Sequence, residues 1–312
     1  MQTRTGASCA LPRHEEPEAA PCEALNREYG RPGAVDFHHT PRGMLSAALR
    51  HAASGHCAEV SVENAHITRW MSGAGKDLLF AGALPEHNGL RLELAASSAA
   101  RPQAWTAANA WQIASSWSSP RGAELVLQLK QRSAPAGLSA TLRIVVSEEL
   151  MTELVVRNAN ADRAALLNCS FVTYLPLSEA RRAGIGGLHG LRCRDLLTAH
   201  AEDKLQEEPL RIHGPVNRCY YGQQPGSRSI QVRDSHRVLA LSTAGCSDFS
   251  IWHPGAEGGL LAPEEPRRML RIAPGNEHTA LKLAAARTEG QRPAACGNTC
   301  VVRQTLSYQE FI

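Results

Sequence analysis

"CAEVSVENAHITRWM", Cys57 to Met71, sets Val60 and Val62, then Ala65 and Ile67, among polar neighbours. Apolar residues at every second position mark a strand with one face in a core, because successive side chains point to opposite faces. "SGAGKDLLF" follows, a glycine-bearing turn and a second strand.

Outward from there the pattern repeats. "AELVLQLKQ", "SATLRIVVS", "MTELVVRNAN", "LLNCSFVTYL", "RSIQVRD", "RVLALSTAG", "DFSIWHP", "MLRIAP", "TALKLAAA" and "CVVRQTLSY" are alternating or β-branched runs separated by Gly, Pro, Asn, Ser or Asp turns. Strand follows strand without regular intervening helices, so the expected class is all-β, a large antiparallel β-sandwich, and not a βαβ sheet. Two stretches stay open. "GMLSAALRHAA" (Gly43 to Ala53) and "TAANAWQIASSW" (Thr106 to Trp117) carry enough Ala for a helix, while the Trp spacing of the second favours a strand. No repeat of about 20 to 50 residues is visible, which argues against a propeller or solenoid.

Residues 1–45 are rich in Pro, Gly and charge and show no sustained period, so they read as a disordered N-terminal extension. Residues 46–312 then form one β domain, a size common for single all-β units.

Composition bounds the partners. The 33 basic and 30 acidic residues are interspersed, giving a net charge of +3 without a basic stripe, so nucleic acid is not expected as a partner. No apolar run approaches the roughly 18 to 20 residues that span a bilayer, so no membrane association is expected. Nine scattered cysteines, with no signal peptide before them, fit a reduced, cytoplasmic protein with free thiols. "CGNTC", Cys296 to Cys300, has neither zinc-ribbon nor thioredoxin spacing, and His38-His39 lacks further ligands at metal spacing. No metal and no cofactor are expected. "GIGGLHG", Gly184 to Gly190, lacks the Lys-Ser/Thr of a P-loop and reads as a turn cluster. Ser247, Asp248 and His253 supply the residue types of a hydrolytic triad without the G-x-S-x-G elbow.

An ordered set of segments carries a wider resemblance: "AEVSVENAHITRWMSGAGKDLLF", "LVVRNANADRAALLNCSFVTYLPLSE", "GLHGLRCRDLL", "PVNRCYYG", "SDFSIWHPG", "RRMLRIAPGN" and "VVRQTLSY". From about Cys57 to the C-terminus the chain resembles the glucose-6-phosphate 1-epimerase (hexose-6-phosphate mutarotase) branch of the aldose 1-epimerase superfamily. The resemblance implies a galactose mutarotase-like β-sandwich and a sugar or sugar phosphate as ligand. It also implies general acid-base chemistry, in which a His acid and a Glu base open and reclose the sugar ring.

At those positions the chain departs from the family. "SFVTYL" puts Val172 at the acid position and "RIAPGN" puts Ala273 at the base position, and neither side chain can move a proton. The two phosphate-binding arginines fall on Asn88 and Ala108, and the His between them on Ala104, while Gln103 is kept. Asn217 of "VNRCY" stands where the family has an Asp that contacts sugar hydroxyls. His253 replaces the Asn of the family's W-N-P.

Three functions follow as expectations. The first is a catalytically impaired, carbohydrate-binding protein of the mutarotase type, with Gln103 and Asn217 as substrate-binding residues. The second is an active hexose or hexose-6-phosphate 1-epimerase whose acid-base pair has moved to His253 with Glu264 or Glu265. The third is a module that binds an unknown protein on the same scaffold.

Overall fold

The computed structural model describes residues 22–97, 103–104, 110–198, 202–221, 226–255, 265–276, 279–286 and 297–311. A short helix, α1 (Cys22–Tyr29), opens the described chain. The first layer begins with β1 (Val35–His39), β2 (Leu45–Arg50), β3 (Cys57–Ser61), β4 (His66–Met71), β5 (Leu90–Ser97) and β6 (Gln103–Ala104). The second layer receives β7 (Trp111–Ser119), β8 (Gly122–Leu129), β9 (Leu138–Val146) and β10 (Leu150–Asn158), and β11 (Ala165–Pro176) returns to the first.

Shorter strands follow: β12 (Gly184–Gly186) in the second layer, β13 (Arg192–Asp195) and β14 (Lys204–Leu205) in the first, β15 (Leu210–Arg211) in the second and β16 (Val216–Tyr220) in the first. A hairpin of β17 (Gly226–Asp234) and β18 (Arg237–Cys246) joins the second layer. The first is completed by β19 (Asp248–His253), β20 (Met269–Gly275) and β21 (Leu281–Leu283), the second by β22 (Thr299–Glu310). Among the described residues the layers are a 13-stranded sheet and a nine-stranded sheet, with every pairing antiparallel. The expected all-β sandwich is what the chain forms.

The core lies between the inner faces. The Cys57–Met71 stretch is a β3–β4 hairpin, and Val60, Val62, Ala65 and Ile67 are all buried in that core. Ala65 sits in the turn with φ of 50°, a left-handed value uncommon for a residue with a Cβ. Leu270 and Ile272 of β20 point into the same core, as do Phe171 and Leu175 of β11.

The expected boundary at residue 46 needs correcting. β1 pairs with β2 from Val35↔Leu49 to His39↔Leu45, and Val35 and Phe37 are 2% and 1% exposed within the core. Asn26 of α1 fastens this strand, its Nδ2 donating to the Phe37 carbonyl and its Oδ1 accepting the Phe37 N–H, both at 2.7 Å. Residues 22–45 therefore belong to the folded unit because they cover the edge of β2, and residues 1–21 lie outside the described residues. Both open stretches contribute strands, Leu45–Arg50 in the first and Trp111–Ser119 in the second. Their cross-strand pairing outweighs the helix propensity of Ala.

Seven cysteines among the described residues are free thiols. No described helix is long and apolar enough to cross a membrane.

Candidate functional site on the outer face of the large sheet

Residues paired across antiparallel strands share a face, so register alone assembles the outer face of the large sheet. His66 pairs with Arg91, and Arg91 with Val172. Between the pairs Ser170↔Gly275 and Thr173↔Ile272, Val172 falls opposite Ala273. The row continues through Ser250 and Cys219 to Arg194. A neighbouring row runs Tyr174, Arg271, Trp252, Asn217. The acid and base positions implied by the resemblance are thus brought face to face.

They meet in an apolar cluster. Phe80, Val172, Tyr174, Met269 and Ala273 pack together, with Leu84 and Trp252 against them, and Val172 and Ala273 are 0% and 1% exposed. An outer sheet face is buried this deeply only when something covers it, and here the chain between β4 and β5 does so. Phe80 donates its N–H to the Tyr174 carbonyl, and Gly89 donates to Phe80, both bonds spanning 2.8 to 2.9 Å. The His87 ring lies 5.7 Å from both Tyr174 and Trp252.

The charge around this patch is cationic. Arg271 donates to Ser250 Oγ at 3.0 Å. Arg91 pairs with Glu93 at 3.1 Å and stands 5.8 Å from the Tyr174 ring centroid. Burial raises the Tyr174 phenol above its ordinary value, against the opposing pull of Arg91 and Arg271, so it stays protonated at neutral pH. Burial, reinforced by Arg91, lowers His66 below the ordinary imidazole value, against a hydrogen bond to the Asn88 carbonyl at 3.1 Å. Guanidinium groups absent from positions 88 and 108 are therefore present on the same face at Arg91 and Arg271. Sequence reasoning passed over Arg271, although it lies two residues from Ala273 and must share its side of the strand.

The remaining expected residues divide. Asn217 is half-buried beside Trp252 on the outer face. Gln103 lies on β6 opposite Ala96, and Ala104 opposite Ala95. Asn88 lends its carbonyl to His66, while its buried side-chain oxygen has no partner. Ala108 and Glu264 lie outside the described residues.

His253 and Glu265 do not converge. His253 occupies the opposite face of β19 from Trp252, is 4% exposed, and accepts the Gly255 N–H on Nδ1 at 3.0 Å. It lines a cavity with Arg182 and Arg267. The Glu265 carboxylate accepts the Ala83 N–H at 2.5 Å and lines a different cavity, with Asp77, Arg237 and Arg268. Nor is there a triad. Asp248 accepts the Thr279 N–H and Ser247 accepts from Asn276, at the far end of β19 from His253, roughly 16 Å away at strand rise.

The turn after Ala273 is tightly built. A Cβ at Gly275 would lie 2.0 Å from the Cys169 carbonyl oxygen, so only glycine lets β20 approach β11 there. Asn276, fully buried, then donates its N–H to that carbonyl at 2.7 Å and its amide to Ser247 Oγ at 2.9 Å. The strand and its turn are intact around a position that carries no carboxylate. Among the described residues no group of three or more His, Cys, Asp or Glu side chains could hold a metal ion.

Several solved structures share the architecture. A protein from Salmonella typhimurium assigned as a mutarotase superposes with a TM-score of 0.68 at 13% identity, covering 91% of this chain and 96% of that one. A galactose 1-epimerase from Lactobacillus acidophilus gives 0.56 at 11% identity, covering 89% and 99%. A galactose mutarotase-like protein from Lactobacillus casei gives 0.59 at 9% identity, covering 86% and 100%. No family model matches the sequence, and no curated protein does. At such identities the likeness establishes the fold, a galactose mutarotase-like sandwich.

Proposed function

We propose that this protein binds a sugar or sugar phosphate on the outer face of its large sheet and is impaired as a 1-epimerase. The observation that carries the reading is the sealed contact between Val172 and Ala273 beneath Phe80. Ring opening needs a group that takes the anomeric proton and another that protonates the ring oxygen. Loss of one such group costs about 10² to 10⁴ in rate. Two aliphatic side chains at the facing positions supply neither. Around them Trp252 offers a stacking surface, Asn217 both donor and acceptor groups, and Arg271 a cation suited to an oxyanion.

The test is the anomerisation of freshly dissolved α-glucose 6-phosphate, followed by a coupled dehydrogenase specific for the β-anomer. The expected outcome is a rate equal to the spontaneous one, together with calorimetric binding of glucose 6-phosphate that weakens about ten-fold in Trp252→Ala. An enzyme-dependent rate that disappears in Tyr174→Phe or Trp252→Ala would overturn the impairment.

A further inference from the structure

On the far side of β19 from Trp252, a cavity of about 390 Å³ opens at the end of the sandwich. Two short helical turns, Ala180–Arg182 and Pro266–Arg268, pack against each other beside it. From them come Arg181, Arg182 and Arg267. The β15–β16 connection adds His213, and β19 adds His253.

Several guanidinium groups of the molecule are matched by carboxylates: Arg69 by Asp77, Arg143 by Glu124, Arg194 by Asp203, Arg237 by Asp234. Among the described residues Arg181, Arg182 and Arg267 form no ion pair, and the carboxylate lining their cavity is that of Glu179. Three guanidiniums against one carboxylate, gathered from turns far apart in sequence into one concavity, leave a local positive excess that attracts anions. Arginines scattered over a convex surface would leave no such focus.

We propose that this cavity binds a phosphate-bearing small molecule, at a site separate from the outer sheet face. The arginine fork matches the oxygens of a phosphate bidentately. His253 lines the same cavity, its ring held by the Gly255 N–H on Nδ1 at 3.0 Å. The volume lies within the range of about 300 to 1,000 Å³ usual for small-ligand pockets, so a phosphate fits with a body of sugar size attached. Glu179 in the lining disfavours a second negative charge nearby, which selects a monoester over a bisphosphate.

The test is calorimetry on the full chain with inorganic phosphate, then glucose 6-phosphate, with glucose as the uncharged control. Phosphate and its ester are expected to bind with submillimolar affinity, and the interaction to weaken on raising salt from about 0.05 M to about 0.3 M. The Arg181→Gln/Arg267→Gln double variant is expected to weaken phosphate at least about ten-fold while Trp252→Ala leaves it unchanged. Should the double variant lose its near-ultraviolet circular dichroism, the single Arg267→Gln variant carries the comparison, with Arg267→Lys expected to recover part of the affinity. No heat with inorganic phosphate up to about 10 mM, equal phosphate affinity in the arginine variants, or loss of inorganic phosphate binding in Trp252→Ala alone would each overturn the proposal.

Discussion

His66 ends the row that passes through Arg91, Val172 and Ala273, and its ionisation bears on stability below neutral pH. Its Nε2–H is given to the Asn88 carbonyl, and burial with the Arg91 charge nearby keeps the folded-state value below that of a free imidazole. The unfolded chain therefore takes up a proton first as pH falls below about 6.5, and the folded state loses stability from there until His66 itself protonates. The slope is at most about 1.4 kcal/mol per pH unit, less in proportion to the solvent that reaches this half-buried ring. Urea midpoints measured from about pH 7.5 to about pH 5.5 are expected to fall more steeply for the native chain than for His66→Gln. Equal slopes would remove His66 from the account. Ala273, at the middle of the row, makes the contrasting point: its side of β20 follows from period two, with Leu270 and Ile272 inward. Its partner could not be read that way, because Val172 reaches it only through the long-range register of β11 on β20.

Among the elements, β1 shows how far local pattern can mislead. Residues 22–45 are punctuated by Pro, Gly and charge, and five residues of strand are too few to display a period. The fold recruits them through pairing, with β1 laid on β2 and Val35 and Phe37 turned inward. β2 itself contains Ala47 and Ala48, favourable to helix in isolation, yet is held between β1 and β3 on both edges. A Phe37→Ala substitution would open a cavity beneath β1 and is expected to cost about 3 to 5 kcal/mol in guanidinium unfolding. A residue outside the folded unit would change stability by about 0.5 kcal/mol or less. A shift of that smaller size would return β1 to an extension.

Over the whole molecule, alternation and turn residues were enough to read two antiparallel layers from sequence, because each strand states which of its faces is apolar. They did not reveal what covers an outer face: the burial of Val172 and Ala273 depends on Phe80 and Leu84, which arrive from a connection without periodicity. Nor could they show which polar residues lie between the layers. Thr173 points inward from β11 and Gln304 from β22, both 0% exposed, with the Gln304 amide donating to Thr173 Oγ1 at 2.9 Å. This bond joins the two sheets inside a largely apolar interface, where a buried polar group left alone is costly. Thr173→Val keeps the shape and removes the acceptor, so the amide loses its partner and about 1 to 3 kcal/mol of stability should go with it. Gln304→Leu should cost a similar amount, since the Thr173 hydroxyl keeps only its long contact, 3.4 Å, with the Phe171 carbonyl. Combining the two removes both polar groups together, and the loss should be smaller than the sum of the single losses by about 0.5 kcal/mol or more. Chemical unfolding of the native chain, both single variants and the double variant completes the cycle. Strict additivity would mean that the layers are held by apolar packing alone and that this bond contributes nothing to their registration.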